Sequence, residues 1–283
     1  MLTVTEVRQA GRRRRSPYSD KQHYQEYILQ RIEGYKNSIG RDELLRLGDE
    51  AASELQATSE GQFVLTEVLM LESVDRLIMK RLSLRPYRRW KQQFIRLRAA
   101  QRMPTHWGLE PRCPLSPLLA RIEPEDTALV VGSAAAPTTY LLAAHDAAVT
   151  FLAGDLGSVE RVESRMTAEA LSSLFESYVT HFDPVLPEFM SFLEGFDIVV
   201  LDPGILRKLP ASHRSELLGD LQRRSRPGGV HVILPTCAAI APESLRSFYP
   251  DWSQEEDTKR KRRGAKSPPG LILGKPLCPE DTA

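Results

Sequence analysis

Phe196 to Gly204 reads FDIVVLDPG, an apolar run closed by an acid, a proline and a glycine. Six residues is strand length, and a run apolar on both faces is what a strand buried on both sides of a sheet requires. Asp202, Pro203 and Gly204 then stop it with turn residues. Downstream, residues 217 to 235 read LLGDLQRRSRPGGVHVILP. A helix from Ser212 to Arg224 leads through Arg226 to Gly229 into a strand, Val230 to Leu234. Upstream, DTALVVG at 126 to 132 is a first strand running into Gly132, Ser133, Ala134, Ala135 and Ala136, with a helix from Thr138 to Ala144 behind them. Ala148 to Ala153 reads as the second strand, followed by Gly154 and Asp155 and a long helix from about Ser158 to Ser177. A third strand, Ser177 to Phe182, ends at Asp183, and Gly270 to Gly274 (GLILG) reads as a last, edge strand. Strands alternating with helices make a mostly parallel α/β sheet.

A buried strand feeding a turn of small residues and a helix amino terminus lets a ligand come close to the backbone. The helix end favours negative charge and hydrogen-bond acceptors. Asp155, Asp183 and Asp202 each follow a strand, where a carboxylate serves equally as a helix cap, a turn former or a ligand contact.

On FDIVVLDPG and LLGDLQRRSRPGGVHVILP, and on their spacing from the first strand, residues 113 to 277 resemble the class I S-adenosylmethionine-dependent methyltransferases. The resemblance implies a seven-stranded Rossmann-like sheet with an antiparallel last strand. Residues 251 to 276 would then supply the hairpin of the sixth and seventh strands, with a long charged loop inside it. It also implies S-adenosylmethionine as cofactor. Gly132, Ser133, Ala134 and Ala136 fall on the glycine-rich first motif, Asp155 near the acid that holds the ribose, Asp183 on the adenine contact, and Asp202 at the start of the fourth motif, beside the methyl donor or the substrate. The departures are specific. The family's acid followed by GxGxG is here Val130-Val131-Gly132-Ser133-Ala134-Ala135-Ala136, with only the first glycine kept. Asp155 arrives about two residues late, with Ala153 in the simplest aligned place. Gly204 stands where amino-group methylases carry a second proline.

The rest of the chain is organised around this sheet. Residues 1 to 19, with Arg12 to Arg15, read as a disordered basic arm. Residues 20 to 102 carry apolar residues at helical spacing and read as a helical accessory domain of three or four helices. Residues 103 to 124, with Pro104, Pro111, Pro114 and Pro117, read as a connector, residues 125 to 277 as the sheet domain and 278 to 283 as a tail. Within the connector, His106 beside Trp107 is a candidate base under a lid, or an anchor for the connector. His181 and His231 fall inside expected strands and read as core or edge residues.

The 283 residues are 41% hydrophobic and 27% charged, which excludes a collagen-like or disulfide-built chain. The net charge of +1 hides an asymmetry: residues 1 to 112 carry net +7, 113 to 256 net −10, and 257 to 283 net +4. Cys113, Cys237 and Cys278 lie far apart and form no CxxC pair, so neither a disulfide framework nor a zinc knuckle is expected. With no secretory pattern at the amino terminus and no run long enough to span a bilayer, a cytoplasmic protein without membrane contact is expected. Residues 85 to 102 (RPYRRWKQQFIRLRAAQR) hold seven basic residues and no acid, interleaved with Tyr87, Trp90 and Phe94. They read as an amphipathic helix burying Trp90, Phe94, Ile95 and Leu97, or as a helix facing RNA or DNA.

Taken together, the sequence points to methyl transfer from S-adenosylmethionine, catalysed with Asp202 and His106 near the reacting groups. The acidic sheet domain favours a small-molecule acceptor, because polyanions bind where phosphates are neutralised. The alternatives are an inactive methyltransferase-like module for binding or assembly, and an RNA methyltransferase using Arg12 to Arg15, residues 85 to 102 and residues 259 to 263. A nicotinamide-nucleotide enzyme fits the late part of the chain poorly.

Overall fold

A computed structural model describes residues 19–58, 67–124, 126–171, 174–187, 195–255 and 270–277. The basic run Arg12 to Arg15, the run 259–263 and the tail 278–283 lie outside the described residues. The chain divides into two compact units, residues 15–97 and residues 98–283.

The first unit holds α1 (Asp20–Ser38), α2 (Arg41–Thr58), α3 (Glu67–Arg81) and most of α4 (Tyr87–Gln101), within which the division falls. Ser19 starts α1 with a capping box: its hydroxyl accepts from the Gln22 backbone and the Gln22 side chain returns a bond to the Ser19 N–H. Ile32, Leu47, Ala51, Leu77 and Ile78 form the core between α1, α2 and α3. Trp90 and Phe94 of α4 stack at 4.6 Å, with His23, Tyr24 and Tyr27 of α1 around them. The amphipathic reading of α4 holds for this pair. It fails for Ile95 and Leu97, which are 52% and 39% exposed: Ile95 projects away from the side of the helix occupied by Trp90 and Phe94, and Leu97 shares that side but stays uncovered.

The second unit is built on a seven-stranded sheet in the order β3-β2-β1-β4-β5-β7-β6. Its strands are β1 (Thr127–Val131), β2 (Ala148–Ala153), β3 (Phe175–Val179), β4 (Phe196–Leu201), β5 (Ser225–Ile233), β6 (Ser253–Glu255) and β7 (Leu271–Gly274). The first five are parallel, while β7 lies antiparallel to β5 and β6 antiparallel to β7. This is the Rossmann-like α/β sheet, with its antiparallel seventh strand, that the resemblance implies. Two expectations are corrected. The edge strand is β6, because β7 pairs on both sides. The third strand starts at Phe175 and ends at Val179, because its helix stops early, leaving His181 in the following loop.

Residues alternate between two cores. Ala128, Val130, Phe151, Val200 and Val232 face α5 (Ala136–Ala144) and α6 (Leu156–Ala168). Leu129, Val131, Val199, Leu201 and Ile233 face α7 (Ala211–Arg224) and the turn of 3-10 helix Pro242–Phe248. The proline-rich stretch folds as successive turns, and Trp107, Cys113, Leu115 and Leu118 belong to the first core. Among the described residues no helix is long and apolar enough to cross a membrane.

Candidate functional site

The chain leaves β1 toward β2 and β3 on one side, and returns to build β4 and β5 on the other. The crevice beyond the carboxyl ends of β1 and β4 is therefore the topological switch point, where α/β sheets hold ligands. Gly132, Asp155, Asp183, Asp202 and Thr236 follow β1, β2, β3, β4 and β5 respectively, so all five stand on this edge.

Gly132 turns with φ 102° and ψ 144°, a conformation that is essentially glycine's alone. A Cβ there would stand 2.6 Å from the Asp202 Cβ, so the glycine lets the ends of β1 and β4 close together. A single turn of 3-10 helix, Ser133–Ala135, follows and runs into α5. Gly132 carries the only positive φ in this turn. That explains how Ala134 and Ala136 replace two glycines of the expected motif without strain. Ser133 and Ala134 form an exposed lip.

Two carboxylates brace the turn. Asp155 caps α6, its Oδ1 accepting from the Ser158 N–H at 2.8 Å, while Oδ2 accepts from the Ser133 hydroxyl at 3.0 Å. The hydrogen bonds from Ser158 and Ser133 hold its carboxyl below the usual carboxylate range. It remains exposed, with acceptor capacity beyond these two bonds. Asp202 is only 6% exposed. Its Oδ2 accepts from the Ala134 N–H at 3.2 Å, and its Oδ1 accepts from the Gly204 N–H at 2.9 Å and the Thr236 hydroxyl at 2.6 Å. All three donors come from the chain itself, and through them Asp202 ties the ends of β1, β4 and β5 together.

Asp183 is exposed in the loop after β3, 3.8 Å from the His181 Nε2, and holds no described contact to Asp155 or Asp202. His106 is elsewhere. Its Nε2 lies 3.8 Å from a carboxylate oxygen of Glu169, the residue that closes α6, and its ring meets Trp107 edge-on at 4.6 Å. A helix that starts at the carboxyl edge of a parallel sheet ends at the amino edge. His106 therefore stands at the far edge from Asp155 and Asp202.

Two residues of the edge were missed by sequence reasoning. Thr236 is the polar residue that follows β5, a signal as plain as Asp202 after β4. Phe182 lies beside Gly154, where an added side chain would meet its ring at 3.6 Å, a closeness that only the fold reveals.

No family model matches the chain, and no curated protein does either. Solved structures with a similar sheet include a precorrin-6y C5,15-methyltransferase from Geobacter metallireducens GS-15, at 13% identity and TM-score 0.43, covering 57% of this chain and 86% of that one. An rRNA methylase from Streptococcus thermophilus is 14% identical with TM-score 0.41, covering 59% and 98%. The glycopeptide N-methyltransferase MtfA, complexed with S-adenosylmethionine, is 13% identical with TM-score 0.41, covering 57% and 92%. Similarity this distant assigns neither an activity nor the role of any residue.

Proposed function

We propose that the sheet unit binds S-adenosylmethionine at the carboxyl edge of β1, β2 and β4 and transfers its methyl group to a small-molecule acceptor. The observation that carries this reading is the Ser133–Asp155 pair: an exposed, ionised carboxylate held 3.0 Å from the lip of the first turn, at the switch point of the sheet. S-Adenosylmethionine, when bound, supplies an electrophilic methyl on a sulfonium. Asp155 accepts hydrogen bonds from the ribose hydroxyls, Gly132 with the Ser133–Ala135 turn gives the backbone its close approach, and Asp183 faces the adenine amino group. Asp202 holds the turn rather than moving a proton. Rate enhancement in such a site comes from holding donor and acceptor in line, an effect worth up to about 7–11 kcal/mol in well-oriented systems. The carboxylates along the edge favour a neutral or cationic small acceptor over a polyanion.

A second reading, a binding or assembly module without catalysis, is favoured by the burial of Asp202, whose carboxylate already accepts three hydrogen bonds from the chain itself. Calorimetric titration of the full chain with S-adenosylmethionine, with its demethylated product and with NAD as a control separates the readings. Micromolar binding of the first two alone supports the donor site. Absence of binding to all three overturns it in favour of the second reading.

A further inference from the structure

One face of α4 carries a stripe of exposed arginines. At 100° per residue, Arg88, Arg89, Gln92 and Arg96 project to one side of the helix, opposite Trp90 and Phe94. Arg88, Arg89 and Arg96 are exposed and make no ion pair among the described residues. Some other cations of the same unit pair with acids, Lys36 with Glu33 and Asp75, Arg81 with Glu43 and Glu50, and Lys91 with Asp20. No acid lies between residues 85 and 102.

We propose that this face of α4 docks on the phosphate backbone of a double-stranded nucleic acid. Arg89 and Arg96 are two helical turns apart, about 10 Å along the axis, and a duplex presents roughly one charge per 1.7 Å of its own axis. Guanidinium groups match phosphate oxygens in a planar fork, and glutamine adds neutral donors between them. The aromatic residues argue for a duplex over a single strand. Single strands are held by stacking bases on exposed rings, and Trp90 is buried in the stack with Phe94 and the tyrosines of α1. Docking through this face is independent of the donor reading and says where the chain binds, not what it methylates.

The test is fluorescence anisotropy of the full chain with a labelled 20-base-pair DNA duplex and an RNA duplex of the same sequence, between 50 and 200 mM salt. The expected result is binding that falls steeply with salt. A combined R88Q/R89Q/R96Q variant should bind at least tenfold more weakly at low salt, with the logarithmic salt slope on DNA smaller by about 2 to 3, the value for three lost phosphate contacts. The R88K/R89K/R96K variant should keep most of the affinity, which guards against a loss that reflects folding. Failure of the unaltered chain to bind either duplex at 50 mM salt overturns the proposal. So does equal binding by the glutamine variant, or dependence on these arginines only with phosphatidylserine vesicles.

Discussion

Asp155 carries two loads that substitution separates. Through Oδ1 it caps α6, and through Oδ2 it reaches the lip of the β1 turn. Asparagine caps a helix about as well as aspartate, whereas alanine costs about 1 kcal/mol. Asp155→Asn is therefore expected to keep its thermal midpoint but bind S-adenosylmethionine about tenfold more weakly, the loss of roughly one charge-assisted hydrogen bond. Asp155→Ala is expected to lose both. Calorimetry beside thermal unfolding checks the pair, and unchanged donor affinity in both variants would remove Asp155 from the site. The sequence announced Asp155, Asp202 and Gly132 because each closes an apolar strand. It did not announce their surroundings, since whether a carboxylate is exposed or buried among hydrogen bonds depends on groups such as Ala134, Ser133 and Thr236 that follow other strands.

At the scale of elements, β1, β2 and β4 were expected within a residue or two of where they stand, because an apolar run of strand length bounded by turn residues admits few other readings. The end of α6 was missed. There the Leu171 N–H bonds the Met166 carbonyl and the Ala170 N–H bonds the Thr167 carbonyl, with Ala170 at φ 54°. This is a Schellman cap with alanine where glycine is usual, so the sequence carried no stop signal. Ser83 and Asp146 end α3 and α5 in the same left-handed way. Ala170 is exposed, and a left-handed alanine costs roughly 1–2 kcal/mol. Ala170→Gly is therefore expected to stabilise the protein by up to about 1 kcal/mol once the greater freedom of unfolded glycine is counted, measured as a higher urea midpoint. A lower midpoint would contradict the cap.

β5 holds a second buried device. Ser225 donates to the Leu221 carbonyl, so the His231 Nε2–H donates to the Ser225 oxygen at 2.7 Å and the Tyr249 hydroxyl donates to Nδ1 at 3.1 Å. Burial, with Lys275 nearby, pushes the imidazole down to about 3. Unfolded histidine titrates near 6.5, so below that pH the unfolded state takes up a proton that the native state refuses. Stability is expected to be unaffected by this group above pH 6.5 and to fall by about 1.4 kcal/mol per unit as pH drops toward 3. His231→Gln should lose this one-proton slope between pH 6 and 4.5 in urea titrations, whatever its absolute stability. Identical slopes in the two proteins would mean that His231 is not the group responsible.

At the scale of the whole molecule, the two units have separate cores and different charge. The unit of residues 15–97 closes around few apolar side chains, among them the fully buried Leu47 and Ile78. Removing the Ile78 side chain beyond Cβ should cost about 2–5 kcal/mol, the usual range for a large buried aliphatic residue. Every residue assigned to the donor, from Gly132 to Asp202, belongs to the other unit, residues 98–283. Ile78→Ala is therefore expected to lower the unfolding midpoint of the helical unit and leave the affinity for S-adenosylmethionine within a factor of two at 15 °C. Titration calorimetry on the variant, with circular dichroism to follow the helices, reads both quantities. If donor affinity fell in step with helix content, the donor site would have to include the helical unit, and an assignment confined to the edge of β1, β2 and β4 would be wrong.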